Sequence, residues 1–400
     1  MKQNAKISSN PPRALSSVVG SIEVSAIKQL ELYALSKPDV VSLAQGTPSF
    51  FTPDHIKEAA TEAMKKGLTD KYTPGYGIEP LRVAIVEKLK KQNNIHVQPS
   101  QVMVTHGAIE ACMAVFMTLL NPNDEVLMPT PNYASHVTQI KIALLGRSPT
   151  YVPMDETKDG WSIDLEKIKR AITPNTKAII ICNPSNPLGK IYSKEELEAI
   201  ANIAIQHNLY IIADEMYEDL VYDGKKHISI GSFPEVFDRT ISIFGVSKSY
   251  AMTGWRIGYL ATSQELFNQI FKIHDSLVTC PTAISQYAAI AALNGPKDVV
   301  WEFKKEYEKR RKITVDALKS TDKLQVSTPE GAYYILPKIK KPVDDVALAM
   351  EMVDKAGVAV VPGSAFGKGG ENHIRIAYGC EEEQLRKGLD RFVSYINKHL

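Results

Sequence analysis

The sequence predicts an α/β fold: a large, mainly parallel sheet with helices on both faces, plus a smaller α+β domain. Three observations predict it. Runs that are apolar at nearly every position, KAIIIC at 177–182, LYIIA at 209–213 and TISIF at 240–244, have the pattern of strands buried on both faces. Amphipathic stretches with helical spacing lie between such runs. From about residue 283 the pattern changes to long helices mixed with very short strands.

In chain order, Val102–Thr105 is a strand, followed by Gly107 and a helical apolar stretch, Ala111–Leu120. Glu125–Met128 is a strand that runs into Pro129, Pro131 and Tyr133. After KAIIIC and its following NPSNPLG, Ser193 caps a helix over Ser193–His207. Glu195 and Glu196 sit in its first turn, and Leu197, Ile200, Ile203 and Ala204 recur at helical spacing. LYIIA ends in Asp214–Glu215, and TISIF ends in GVSK. Ala283–Ser320 is largely helical, with a break at Asn294–Gly295–Pro296. Short strands LQVS, AYYIL, VAVV and HIRIA follow. The last helix carries Leu385, Leu389, Phe392, Val393 and Ile396 as one apolar stripe. The expected division is a large domain over 51–290, with residues 1–50 and 291–400 forming an N-terminal arm and the small domain. Sequence pattern does not place residues 1–45.

Composition excludes several classes of function. The 400 residues carry 47 basic and 45 acidic side chains, so no basic footprint for nucleic acid exists. No apolar run approaches the roughly 18 residues of a membrane span. The N-terminus lacks the apolar stretch of a signal peptide. Cys112, Cys182, Cys280 and Cys380 lie far apart without metal spacing. They are expected to be buried free thiols of a cytoplasmic protein. P-loop, dinucleotide, zincin and nucleophile-elbow motifs are absent, and no metal is expected.

Ligands of open parallel sheets bind outside the carboxyl ends of the strands, and those ends are polar here. Lys248 is either a solvated surface lysine or a partly desolvated amine suited to a Schiff base. Asp214 is either a helix cap or metal ligand, or a buried anion that keeps a heterocyclic nitrogen protonated. Gly107 is either a simple turn or the strand-to-helix junction that binds a phosphate. Arg256 sits among apolar residues and, if buried, needs an anionic partner, structural or bound. Arg375, between Ile374 and Ile376, is either a carboxylate clamp or a surface arginine on an edge strand.

Together these residues resemble the class I aminotransferases, the fold type I group of pyridoxal-phosphate (PLP) enzymes. Gly245–Gly258, GVSKSYAMTGWRIG, is similar to the family's cofactor-lysine signature along its whole length. Asn183–Gly189, NPSNPLG, is similar to the family's NPxNPTG. SLAQGTPSF, YTPGYG, THGAIEA, PTPNYASH, ADEMY, GAYYIL, VVPGSAFG and HIRIAY appear in the family's order. The similarity runs from about residue 15 to the C-terminus.

The resemblance implies a fold type I enzyme that moves an amino group from an L-amino acid to a 2-oxo acid by a ping-pong cycle. Lys248 would carry PLP as a Schiff base and move the Cα proton. Asp214 would keep the pyridine nitrogen protonated, and His136 would either support Asp214 from behind or be a plain loop histidine. Asn186 and Tyr217 would bond the ring 3-oxygen, and Tyr133 would stack on the ring. Gly107, the N–H groups of Ala108 and Ile109, Ser247 and Arg256 would form the phosphate side. Tyr72 would reach the phosphate of a neighbouring subunit, since family sites are shared across a homodimer. Arg375, Asn186 and the Gly46 backbone would bind the substrate carboxylate.

Departures from the family pattern include Leu188 for Thr, Ser49 for Asp, and Gly245 where some members bind phosphate with Ser. Ile109 replaces a lysine that pairs with the distal carboxylate of acidic substrates in some members, so neutral or aromatic donors are expected over aspartate. Other PLP outcomes use the same lysine: a carbon–sulfur lyase, a cyclopropane-forming synthase or an amino-acid oxidase. The lysine motif does not separate them.

Overall fold

Seven strands form the large sheet: β1 (Val102–Thr105), β2 (Glu125–Thr130), β3 (Thr150–Pro153), β4 (Thr176–Cys182), β5 (Tyr210–Asp214), β6 (Thr240–Gly245) and β7 (Gly258–Ala261). The structure is a computed structural model that describes residues 14–22, 24, 26–157 and 160–400. The first 13 residues of the expected arm lie outside the described residues. The spatial order is β1-β7-β6-β5-β4-β2-β3. Only β7 runs antiparallel to its neighbours, β1 and β6. The other pairings are parallel.

The apolar runs are explained by which face each residue covers. In β4, Ala178 and Ile180 join one apolar core, while Ile179 and Ile181 join another on the opposite side. In β5, Ile212 and Ile211 divide in the same way. A strand covered on both faces leaves few positions for a polar residue until its end. Polar groups therefore collect at the carboxyl ends, where the covering layers stop.

Two helices aim their N-termini at that edge or its flank. Helix α1 (Ala108–Leu119) begins three residues earlier than the apolar stretch indicates, because Gly107 at φ +77° supplies the turn out of β1. Helix α2 (Lys194–Gln206) has the expected Ser193 cap: Ser193 Oγ accepts from Glu196 N at 3.2 Å, and Ser193 N donates to Glu196 Oε2 at 2.9 Å.

The tail divides at the expected Gly–Pro break, into Ala283–Asn294 and α3 (Asp298–Lys319). The short strands are shorter than the sequence pattern suggests. VAVV splits: Val358–Ala359 pairs with Val41–Ser42, while Val361–Pro362 pairs with Ile374–Ala377. The first pairing places Val41–Ser42, the end of the segment 1–45 that sequence pattern leaves unplaced. The closing helix, α4 (Glu382–His399), buries Leu385, Leu389, Phe392 and Ile396 of its stripe. Its Gly388 lies against Leu43, whose Cδ1 would stand 2.9 Å from any Cβ there. Cys112 and Cys182 are buried thiols, but Cys280 and Cys380 are only half-buried, a correction to the expectation for all four. No described helix is long and apolar enough to cross a membrane.

Candidate active site

A cavity of about 360 Å³ opens at the carboxyl ends of β4, β5 and β6, beside the N-terminus of α1. Gly46, Gly107, Ala108, Ile109, Tyr133 and His136 line it. So do Asn186, Asp214, Tyr217, Ser247, Lys248, Arg256 and Arg375. Of the candidate site residues, Tyr72 is elsewhere: it is 87% exposed on this chain and does not line the cavity.

Lys248 follows β6 after Val246 and Ser247, and its Nζ donates to Gly46 O at 2.6 Å. Among the described residues no carboxylate pairs with it at salt-bridge distance. Burial, then the Arg256 and Arg375 charges, lower its pKa from the usual 10.5 to about 8, with Asp214 opposing. A surface lysine would not show this. The shift is a stability statement for the cofactor-free chain. Between pH 8 and 10.5 the unfolded lysine holds its proton more tightly than the folded one, so stability should rise with pH across that window. Lys248→Met should flatten that rise in denaturant titrations at successive pH values. An unchanged slope would place the lysine in water.

Asp214 closes β5 at the cavity floor. Its Oδ1 accepts Met216 N at 3.2 Å, so a local turn role is present. Its Oδ2 stands 3.2 Å from His136 Nε2. Asn132 orients that imidazole: its Oδ1 accepts Tyr133 N at 2.7 Å and faces His136 Nδ1 at 3.1 Å, while its Nδ2 donates to Pro129 O at 3.0 Å. His136 is thus held behind Asp214 and is not a plain loop histidine. Cys112 Sγ lies 3.8 Å from His136 Nε2, and Cys112, His136 and Asp214 together have the composition of a metal-ligand set.

Arg375 is no surface residue. Its strand, Ile374–Ala377, is the middle one of three, and the side chain is 2% exposed. Nη1 donates to Asn186 Oδ1 at 3.3 Å and Nη2 to Ala44 O, while Nε is buried without a partner. No described carboxylate pairs with it. A buried guanidinium without a counter-ion is costly unless an anion arrives.

Gly107 and Arg256 form the far side. A Cβ on Gly107 would lie 2.7 Å from Arg256 Nη2, and the cap residue gives the first amides of α1 no side-chain acceptor. Open amides, a helix dipole and a guanidinium make an anion cradle. Arg256 itself corrects the sequence reading. It is exposed and lines the cavity, on a left-handed backbone (φ 51°, ψ 54°). Gly245 admits no serine without movement, since Met216 Cε would stand 2.6 Å from a Cβ.

Around Asp214 the cavity therefore gathers Lys248, Arg256 and Arg375, with two anion positions and the Asp214 carboxylate for a cation, while Lys28 and Glu31 add one further charge of each sign to the lining. Sequence reasoning missed several lining residues: Tyr334, Cys112, Cys182, Ser135, Gln139, Thr47, and Lys28 and Glu31 at the Ala26–Leu35 helix. For Tyr334 the motif GAYYIL was a signal, but it did not show which tyrosine turns inward.

A family model, "Aminotransferase class I and II", matches residues 38–392. The chain belongs to this aminotransferase family. It is 41% identical to an aspartate aminotransferase of Pyrococcus abyssi, over 94% of this chain and 97% of that relative. It is 40% identical to aromatic-amino-acid aminotransferase 2 of Thermococcus litoralis, with the same coverage. A solved aromatic aminotransferase from Pyrococcus horikoshii superposes with a TM-score of 0.86 at 40% identity, over 92% of this chain and 99% of that one. The Thermus thermophilus aspartate aminotransferase with maleate gives 0.89 at 36%, over 96% and 100%. The fold is fold type I, and the activity is amino-group transfer; lyase, synthase and oxidase outcomes are not favoured.

Proposed function

We propose that this aminotransferase holds PLP in the 360 Å³ cavity and transfers the amino group of a neutral or aromatic L-amino acid to a 2-oxo acid. One observation carries the reading: Lys248, with its pKa near 8, faces a cavity that also holds Asp214 and the unpaired Arg375. The residues present fit the cofactor. The Gly107 cradle and Arg256 suit its phosphate, and Asp214 Oδ2 suits its ring nitrogen. Asn186 and Tyr217 suit the 3-oxygen, with Tyr133 for the ring face and Ser247 on the phosphate side. When bound, PLP supplies an electron sink that acidifies the substrate's Cα–H bond.

The chain's own residues do the rest. Arg375, with Asn186 and the Gly46 backbone, fixes the substrate α-carboxylate as a planar fork. That orients Cα toward Lys248 Nζ, which takes the proton; an amine whose pKa lies near the working pH is a competent base. Asp214 keeps its partner nitrogen protonated, with His136 and Asn132 holding the carboxylate in place.

A homodimer with shared sites is part of the proposal, supported by two large exposed aromatic side chains, Tyr72 and Phe51, the latter 88% exposed. The four free thiols support a reducing, cytoplasmic compartment. The domain division at residues 51 and 290 is supported by the Val41–Ser42 pairing with Val358–Ala359. Transfer of ¹⁵N from a labelled amino acid to a 2-oxo acid tests the reaction. Release of ammonia without transfer would contradict it.

Donor choice rests on Ile109, in the first turn of α1 and lining the cavity. An apolar side chain there offers a distal carboxylate no cation of its own, and an unpaired charge is expensive. Phenylalanine, tyrosine, methionine or leucine should outpace aspartate, and Ile109→Lys should raise kcat/KM for aspartate. Wild-type turnover fastest with aspartate would show that another residue holds the side-chain carboxylate.

A further inference from the structure

We infer that Tyr334 is a positioning residue that serves both ends of the site, its hydroxyl acting on Tyr217 and its ring on Arg375. The inference rests on the roles proposed above for those two residues. The Tyr334 hydroxyl lies 2.7 Å from that of Tyr217. Its ring centroid lies 4.6 Å from the Arg375 guanidinium. Tyr334 lines the cavity and is 2% exposed.

The fold produces this double contact through register. Tyr334–Ile335 pairs antiparallel with Ile374–Ala377, with Tyr334 opposite Ala377. Arg375 is then the diagonal neighbour on the same face, within reach of a long side chain. Gly46 leaves room for the hydroxyl: a Cβ there would lie 2.1 Å from Tyr334 Oη. Any larger residue at 46 would force the Tyr334 hydroxyl to move.

The hydroxyl pair has a directional consequence. Burial pushes the pKa of Tyr217 well up and that of Tyr334 up, so each keeps its single proton at neutral pH. Tyr217 uses its proton toward the cofactor's 3-oxygen in the proposed role. Its oxygen is then the acceptor, and Tyr334 is the donor. A hydrogen bond received by Tyr217 Oη strengthens the one it gives. The ring contact acts separately. Asn186 and Ala44 O hold the edges of the Arg375 guanidinium, while the Tyr334 ring contacts it as a cation–π partner, together with Phe366 at 5.0 Å.

Two substitutions separate the halves. Tyr334→Phe keeps the ring and removes the hydroxyl; Tyr334→Leu removes both. The readouts on the PLP-loaded full chain are the pH midpoint of the cofactor absorbance change, and KM against kcat for one donor, phenylalanine. Without the Tyr334 hydroxyl, the 3-oxygen charge is less stabilised and retains the neighbouring proton more tightly. Tyr334→Phe should therefore raise the midpoint by about half a unit and leave KM unchanged. Tyr334→Leu should show that midpoint shift and raise KM about tenfold. A wild-type midpoint in Tyr334→Phe, or equal KM values in the two variants, overturns the inference. A wild type with no cofactor absorbance at all overturns instead the assignment of the PLP site.

Discussion

Lys248→Ala should lower turnover by several powers of ten, because one substitution removes the covalent anchor and the base together. The cradle does not depend on Lys248: Gly107, the first amides of α1 and Arg256 come from other parts of the chain. PLP binding, followed by equilibrium dialysis, should therefore survive with reduced affinity while steady-state turnover disappears. The substitution also removes an amine held below its ordinary pKa, so the cofactor-free variant should unfold no more easily than wild type at pH 7. Near-normal turnover would mean another side chain moves the proton.

The second large effect belongs to Asp214. Asp214→Ala should be nearly inactive with PLP still attached, because it removes the carboxylate at the end of β5 that His136 backs. Its neighbour His136 is oriented by Asn132 and cannot substitute. Asp214→Glu keeps the charge and should retain more activity than Asp214→Ala, although the longer side chain must shift against His136. Equal, near-full turnover in both variants would reduce Asp214 to the local turn it makes with Met216.

The parts of the molecule that sequence shows well share one physical cause. In β4, β5 and β6 both faces are covered, so nearly every position is apolar and the run announces itself. Their carboxyl ends are the first positions free to be polar, which is why Asp214 and Lys248 stood out. β7 did not, because GYLA at 258–261 is short and continues the loop that carries Arg256. The VAVV run looked like one strand because apolar alternation does not reveal that Val360 stands between two sheets. Apolar neighbours leave open whether Arg256 is buried; it is exposed, on a left-handed backbone. Tyr334 was invisible as a site residue because only cross-strand register puts it beside Arg375 and Tyr217.

Reduction with borohydride followed by peptide mass spectrometry tests the central claim most directly, namely that Lys248 holds the cofactor in this cavity. The account predicts a yellow protein whose absorbance band is lost on reduction, with the pyridoxyl group on Lys248, the lysine that follows β6. A pyridoxyl group on any other lysine, or none on the chain, would contradict it.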